Sequence, residues 1–186
     1  MLDKRIHLLI ISLSNGLIMG LALKDTEYHR YTDYLQWTDN NCELIDGKAY
    51  FMSPEPNLDH QEVAGEVYKQ IENALTGKKS RVYIALIDVR LANQGEVDEQ
   101  IDTVVQPDVL DVYYSNKLEC HGVREYWLVH PTDRVLTIYL LKDNEFSKAV
   151  IVAFAGETAI TVLDDVVIQW NELFMRLPQA KDRINE

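Results

Sequence analysis

Residues 57–77 read NLDHQEVAGEVYKQIENALTG, and this stretch decides the fold class. Val63, Val67, Ile71 and Leu75 step by four along one face, with Ala64 and Tyr68 beside them. That period is a helix with a single apolar stripe. Asn57 is placed to cap its start and Gly77 to stop it. A helix of this kind must bury its stripe against something else. The apolar runs on either side are short and strand-like, so the helix is predicted to lie on a sheet.

Upstream, residues 43–52 read as a hairpin, because Asp46-Gly47 is a favoured two-residue turn between apolar strands, and Pro54 and Pro56 end it. Further back, Thr32 is the expected cap of a short helix carrying Tyr34, Leu35 and Trp37. Downstream, residues 82–91 read as a strand, followed by a polar loop through Gln94, Gly95 and Asp98. Residues 104–114 read as the next strand, with Pro107 marking an edge or an irregular start. Residues 123–129 and 134–141 form a second hairpin around Pro131-Thr-Asp133. Further strands are expected at 149–154 and 159–163, and a short closing helix at 168–174. The predicted class is α+β: a mixed β-sheet with a long N-terminal helix and a C-terminal hairpin extension.

The chain has 186 residues, 47% of them apolar, which suits one domain with a full core. Its formal net charge is −12, from 30 acidic and 18 basic residues. That balance repels a phosphate backbone unless the basic residues cluster or a divalent cation intervenes. It argues against a protein that coats nucleic acid in bulk. An enzyme meeting DNA through a small metal-bearing cleft remains compatible with it. Two cysteines, Cys42 and Cys120, with no metal-ligand spacing, argue against zinc and fit a reduced, cytoplasmic setting.

At the N-terminus, Asp3-Lys4-Arg5 precedes an apolar run from Leu8 to Leu23 that Ser12, Ser14, Asn15 and Gly16 interrupt. The run is too short and broken to span a membrane, and Leu21-Ala-Leu23 lacks the small–x–small cleavage pattern. Residues 1–24 are therefore read as a leader, either a signal peptide or a segment upstream of a start at Met19. The domain is placed at 25–176 and a polar tail at 177–186.

Several residues could carry chemistry. Asp108 follows Pro107 at a strand start, where burial is costly unless the acid is paired, hydrogen-bonded or bound to metal; a plain turn aspartate is the other reading. Asp88 interrupts an apolar strand and faces either the site side of the sheet or solvent, there pairing with Arg90 or Lys69. Glu43 opens the first hairpin. His60 and Gln61 sit in the first turn of the long helix, where His60 is expected to serve the helix start. Glu125 is expected to point outward, and Asp46-Gly47-Lys48 is explained by the hairpin turn. No GxSxG, P-loop, HExxH or dinucleotide fingerprint is present, so no organic cofactor is expected.

Taken together, six blocks resemble one family. They are Tyr34-Leu35, Glu43-Leu-Ile-Asp-Gly47 running into Met52-Ser-Pro54, His60-Gln61, Asp88-Val-Arg-Leu91, Val105-Gln-Pro-Asp-Val109 and Gly122-Val-Arg-Glu-Tyr-Trp-Leu-Val129. In this order and spacing the chain, from about Tyr31 to Phe174, is similar to the Uma2 family, a bacterial group with a restriction-endonuclease-like fold of the PD-(D/E)xK type. The resemblance implies a metal-dependent endonuclease that hydrolyses DNA phosphodiester bonds with Mg²⁺ or Mn²⁺. It makes Asp108 the metal ligand, Glu43 the accessory carboxylate and Asp88 a third acid. The chain departs from the family pattern after Asn116-Lys-Leu-Glu119, which runs almost directly into Gly122. A strand with a second essential carboxylate, and a helix with a lysine, have no counterpart there; Lys117 and Glu119 are the nearest substitutes. Either the member is trimmed and inactive, or a segment between Tyr114 and Gly122 is missing from the sequence. The second functional expectation is accordingly an inactive relative that binds a partner or forms a homodimer through its sheet edge.

Overall fold

A computed structural model describes residues 8–13, 22–23, 26–37, 42–51, 58–85, 87–92, 96–113, 123–142 and 145–175. The chain runs through β1 (Leu8–Leu13), β2 (Ala22–Leu23), α1 (Tyr31–Tyr34), β3 (Cys42–Ile45), β4 (Lys48–Phe51) and α2 (Leu58–Leu75). It continues through β5 (Ser80–Ile84), β6 (Val89–Arg90), β7 (Val104–Val105), β8 (Val109–Tyr113), β9 (Val123–His130) and β10 (Val135–Lys142). Last come β11 (Glu145–Phe146), β12 (Val150–Ala153), β13 (Glu157–Ala159), β14 (Val167–Gln169) and α3 (Trp170–Phe174). The fold is α+β, as the pattern predicts.

Among the described residues the strands form a larger sheet in the order β11-β10-β9-β1-β8-β5, with β12 also on β10, and a smaller sheet in the order β2-β4-β3-β7-β6. The helix α2 lays Val63, Val67, Ile71 and Leu75 on one face of the larger sheet. There they meet Ile11, Val82, Val109, Trp127, Val129 and Leu136, all buried. Removing such side chains from water is the main stabilising term of the fold. The C-terminal elements close the same core, with Trp170 stacked on Phe154 at 4.1 Å between ring centroids. Gln70 fastens them to α2, accepting from the Gln169 N–H at 2.7 Å and donating to its carbonyl at 3.2 Å. On the opposite face Leu110 and Val123 pack with Val89, beside Val105 and Tyr126.

Two expected strands prove to be four. The run 82–91 divides into β5 in the larger sheet and β6 in the smaller one, and 104–114 divides likewise into β7 and β8. Pro107 lies in the second break, where its missing N–H ends the ladder. The chain thus crosses between sheets at Gln106-Pro107-Asp108. The short helix α1 starts earlier than its expected cap: Arg30 is the N-cap, and its N–H donates to Asp33 Oδ2 at 2.8 Å. Leu8–Leu13, set apart above as leader, is a strand between β8 and β9, antiparallel to the first and parallel to the second. The expected cap Asn57 and the connector between Tyr114 and Gly122 lie outside the described residues.

The β3–β4 turn has the geometry its Asp-Gly pair foretells, with φ of 49° at Asp46 and 70° at Gly47. Gly47 is also held from outside, donating to the Asp102 carbonyl and accepting from the His29 N–H, both at 2.8 Å. A Cβ here would run into the Tyr28 ring. Gly47→Ala is therefore expected to cost about 2 kcal/mol, from the left-handed backbone plus the clash, read as a lower urea midpoint.

Candidate active site

Asp108 stands at the junction of the two sheets, and two distant elements grip its carboxylate. His60 Nε2, from the first turn of α2, lies 2.7 Å from Oδ1. The Leu13 N–H, at the end of β1, donates to Oδ2 at 2.8 Å. An ionised carboxylate only accepts, so the imidazole donates. The two side chains are 10% and 21% exposed, which leaves the acid reachable from solvent while its orientation is fixed. His60 thus reaches across the fold to serve Asp108, a contact its place in the first turn of the helix did not announce.

Glu43, on β3, is the second carboxylate. The Gln106 N–H donates to its Oε1 at 2.7 Å, so the residue two before Asp108 positions the neighbouring acid. Burial raises the Glu43 pKa above the usual carboxylate range; the Gln106 hydrogen bond opposes this, and the nearby Asp108 charge adds to it. Tyr126, on β9, feels both acids. Its pKa is raised by burial first, a hydrogen bond with the Ser12 side chain opposes the rise, and Glu43, Tyr139 and Asp108 add to it.

Asp88 stands further out and is exposed. Its Oδ1 accepts from Gln106 Nε2 at 2.8 Å and from the Tyr34 hydroxyl at 3.0 Å. Gln106 therefore links Asp88 to Glu43, through its side chain on one side and its backbone on the other. The expected partners of Asp88 are engaged elsewhere: Arg90 with Asp98 at 2.6 Å and Lys69 with Glu66 at 3.1 Å. Burial and the Asp88 charge hold the Tyr34 hydroxyl well above its ordinary pKa.

Glu125 points inward, which corrects the outward orientation expected from the sequence. It is fully buried, accepting from Trp127 Nε1 at 2.7 Å and from the Val162 N–H at 2.9 Å. It belongs to the core and not to the site. Of the sequence candidates, Asp108, Glu43 and His60 come together, Asp88 joins through Gln106, and Glu125 does not. Sequence reasoning missed Gln106, Tyr126 and Ser12, although Gln106 and Tyr126 stand inside the Gln-Pro-Asp and Glu-Tyr-Trp blocks.

Among the described residues no three His, Cys, Asp or Glu side chains gather closely enough to hold a metal ion. This donor set does not make an all-protein cage. It does suit Mg²⁺, which commonly keeps several waters and takes only one or two carboxylates. Glu43 and Asp108 are two such acids, and their mutual repulsion is what a cation would relieve.

No curated protein matches the sequence. Among solved structures, the fold is similar to a protein from Anabaena variabilis described as "a putative nuclease belonging to DUF820", with a TM-score of 0.58 and 15% identity. That likeness covers 79% of this chain and 98% of the other, and at this identity it speaks for the fold alone. Residues 26–116, which carry Glu43, His60, Asp88 and Asp108, match the model of the Uma2 family, described as "Putative restriction endonuclease". Over those residues, slightly under half of the chain, the sequence is similar to that family.

Proposed function

We propose that the protein is a metal-dependent endonuclease that hydrolyses DNA phosphodiester bonds at the Asp108–Glu43 pair. One observation carries the reading: Asp108 is gripped on both oxygens, by His60 and by the Leu13 N–H, within electrostatic reach of a second, half-buried acid. Two carboxylates held close at a cost in repulsion, partly open to solvent, form a site suited to a cation. Asp108 and Glu43 would hold Mg²⁺ or Mn²⁺, which when bound polarises a phosphate and lowers the pKa of water. The residues of the chain do the positioning. His60 and Leu13 fix the Asp108 carboxylate, Gln106 fixes Glu43, and Asp88 with Tyr34 holds the Gln106 side chain in place. Preorganisation of this kind removes the need to reorient groups during reaction.

The test is cleavage of plasmid DNA with Mg²⁺ or Mn²⁺. Wild type is expected to nick or linearise the plasmid, and Asp108→Ala to fall at least about a hundredfold, in line with loss of a principal electrostatic group. Equal cleavage by the variant rejects the site. A second reading, an inactive relative that binds a partner, is favoured by one feature. The strand β1, which lies between β8 and β9, reads LLIISL and contributes no acid. Retained DNA binding with no cleavage by wild type would select that reading.

A further inference from the structure

We infer that a second site, a cationic cleft at the far end of β8 from Asp108, binds a nucleic-acid strand through its phosphates. The cleft has a volume of about 690 Å³ and is lined by Lys78, Lys79, Arg124 and Lys142, together with Asp164 and Asp165. Ser80, also in its wall, pairs with Tyr113 at one end of β8, whereas Ile84 pairs with Val109, next to Asp108. Four residues of strand separate those positions, roughly 13 Å. The two sites are thus distinct, and they lie along one strand.

The charge distribution makes this cleft unusual. The chain has only 18 basic residues against 30 acidic ones, and four of the 18 converge here. Among the described residues four cations line the cleft with two carboxylates, so this wall is locally positive on a molecule of net charge −12. A patch of this sign on an acidic protein draws an anion to one place and repels it from the rest. Lys78 is fixed in position, its Nζ donating to the Asp164 carbonyl at 2.7 Å. Lys79 and Lys142 are exposed and can reach a ligand directly.

The lining also indicates what kind of anion fits. No aromatic side chain is among the described residues of the wall, so these residues offer no platform for stacking bases. Spread lysines acting as point charges suit a row of phosphates better than one compact group, and they read backbone rather than sequence. The occupant is a phosphodiester chain held without sequence preference. The inference stands apart from hydrolysis at Asp108, because it concerns binding without metal.

The experiment is fluorescence anisotropy with a labelled single-stranded oligonucleotide of mixed sequence, at low salt in EDTA. The double variant Lys79→Gln/Lys142→Gln is expected to bind roughly tenfold more weakly. Its plot of log K against log salt should be shallower by about 1.4, that is about 0.7 for each phosphate of a single strand that is no longer neutralised. Lys48→Gln, on β4 in the smaller sheet, makes the same kind of charge change outside the cleft and should stay within about twofold of wild type. Any of four results overturns the inference: no binding by wild type, wild-type affinity in the double variant, an equal loss in Lys48→Gln, or competition by polyglutamate as strong as by unlabelled oligonucleotide. Circular dichroism melts of the variants, expected to match wild type, show that the loss is not unfolding. Because no metal is present, this result and the cleavage result can fail separately.

Discussion

Glu125→Ala will lower the stability of the fold by about 3–5 kcal/mol, measured by urea unfolding at neutral pH. The carboxylate is fully buried on β9, and its two oxygens serve different parts of the chain. One accepts from the Trp127 indole on the same strand, at 2.7 Å. The other accepts from the Val162 N–H at 2.9 Å, and the Thr161 backbone adds a further hydrogen bond. Glu125 is thus the peg that fastens the segment between β13 and β14 to the middle of the larger sheet. Burial pushes its pKa up while these three donors pull it down. Alanine would leave an indole N–H and two backbone N–H groups buried without their acceptor, and a cavity beside Trp127. Glu125→Gln keeps the volume and one carbonyl oxygen but turns an NH₂ toward a donor, so its cost should be smaller, about 1–3 kcal/mol. An alanine variant within about 1 kcal/mol of wild type would show that the peg holds nothing.

Glu125 also shows what the sequence made legible. It shares parity with Trp127 and Val129 on one strand, and alternation alone places all three on the same face. The outward reading followed from the ordinary cost of burying a charge, and the specific acceptor geometry won over that general rule. The long helix and the Asp46-Gly47 turn were readable because period and turn chemistry are local properties. The sheet order was not. Nothing in Leu-Leu-Ile-Ile-Ser-Leu says that β1 will insert between strands about a hundred residues away, because backbone pairing carries almost no side-chain signature. The crossing between sheets was hidden by continuous apolar runs, with Pro107 as its one local sign. In the site, Asp108 and Glu43 could be picked out from their sequence blocks. The grip on Asp108 could not, since His60 is 48 positions away and Leu13 is 95.

Asp111 is expected to make the fold more stable in acid than at neutral pH, against the usual behaviour of a carboxylate. It is fully buried on β8, opposite Leu9 and Val82, and neither of its oxygens has a hydrogen-bond partner among the described residues. Burial alone pushes its pKa from 3.8 to about 7. The folded state therefore keeps the proton over a range where the unfolded chain has released it. Stability from this group is intact below the unfolded value, falls as pH rises from about 4 to about 7, and is flat above that. The full loss is about 4 kcal/mol, of which roughly 2.5 falls between pH 5 and pH 8. Other groups titrate over the same range, so the informative quantity is a difference. Asp111→Asn keeps the shape without the ionisation, and its stability relative to wild type should improve by roughly 2.5 kcal/mol between pH 5 and pH 8 in urea melts. Asp111→Val, which also removes the unpartnered polar atoms, should exceed wild type at pH 8 by more than the asparagine variant does. A pH-independent gap between Asp111→Asn and wild type would mean that the carboxyl group is solvated or paired in the folded protein, and that its burial against the helix-covered face carries no electrostatic penalty.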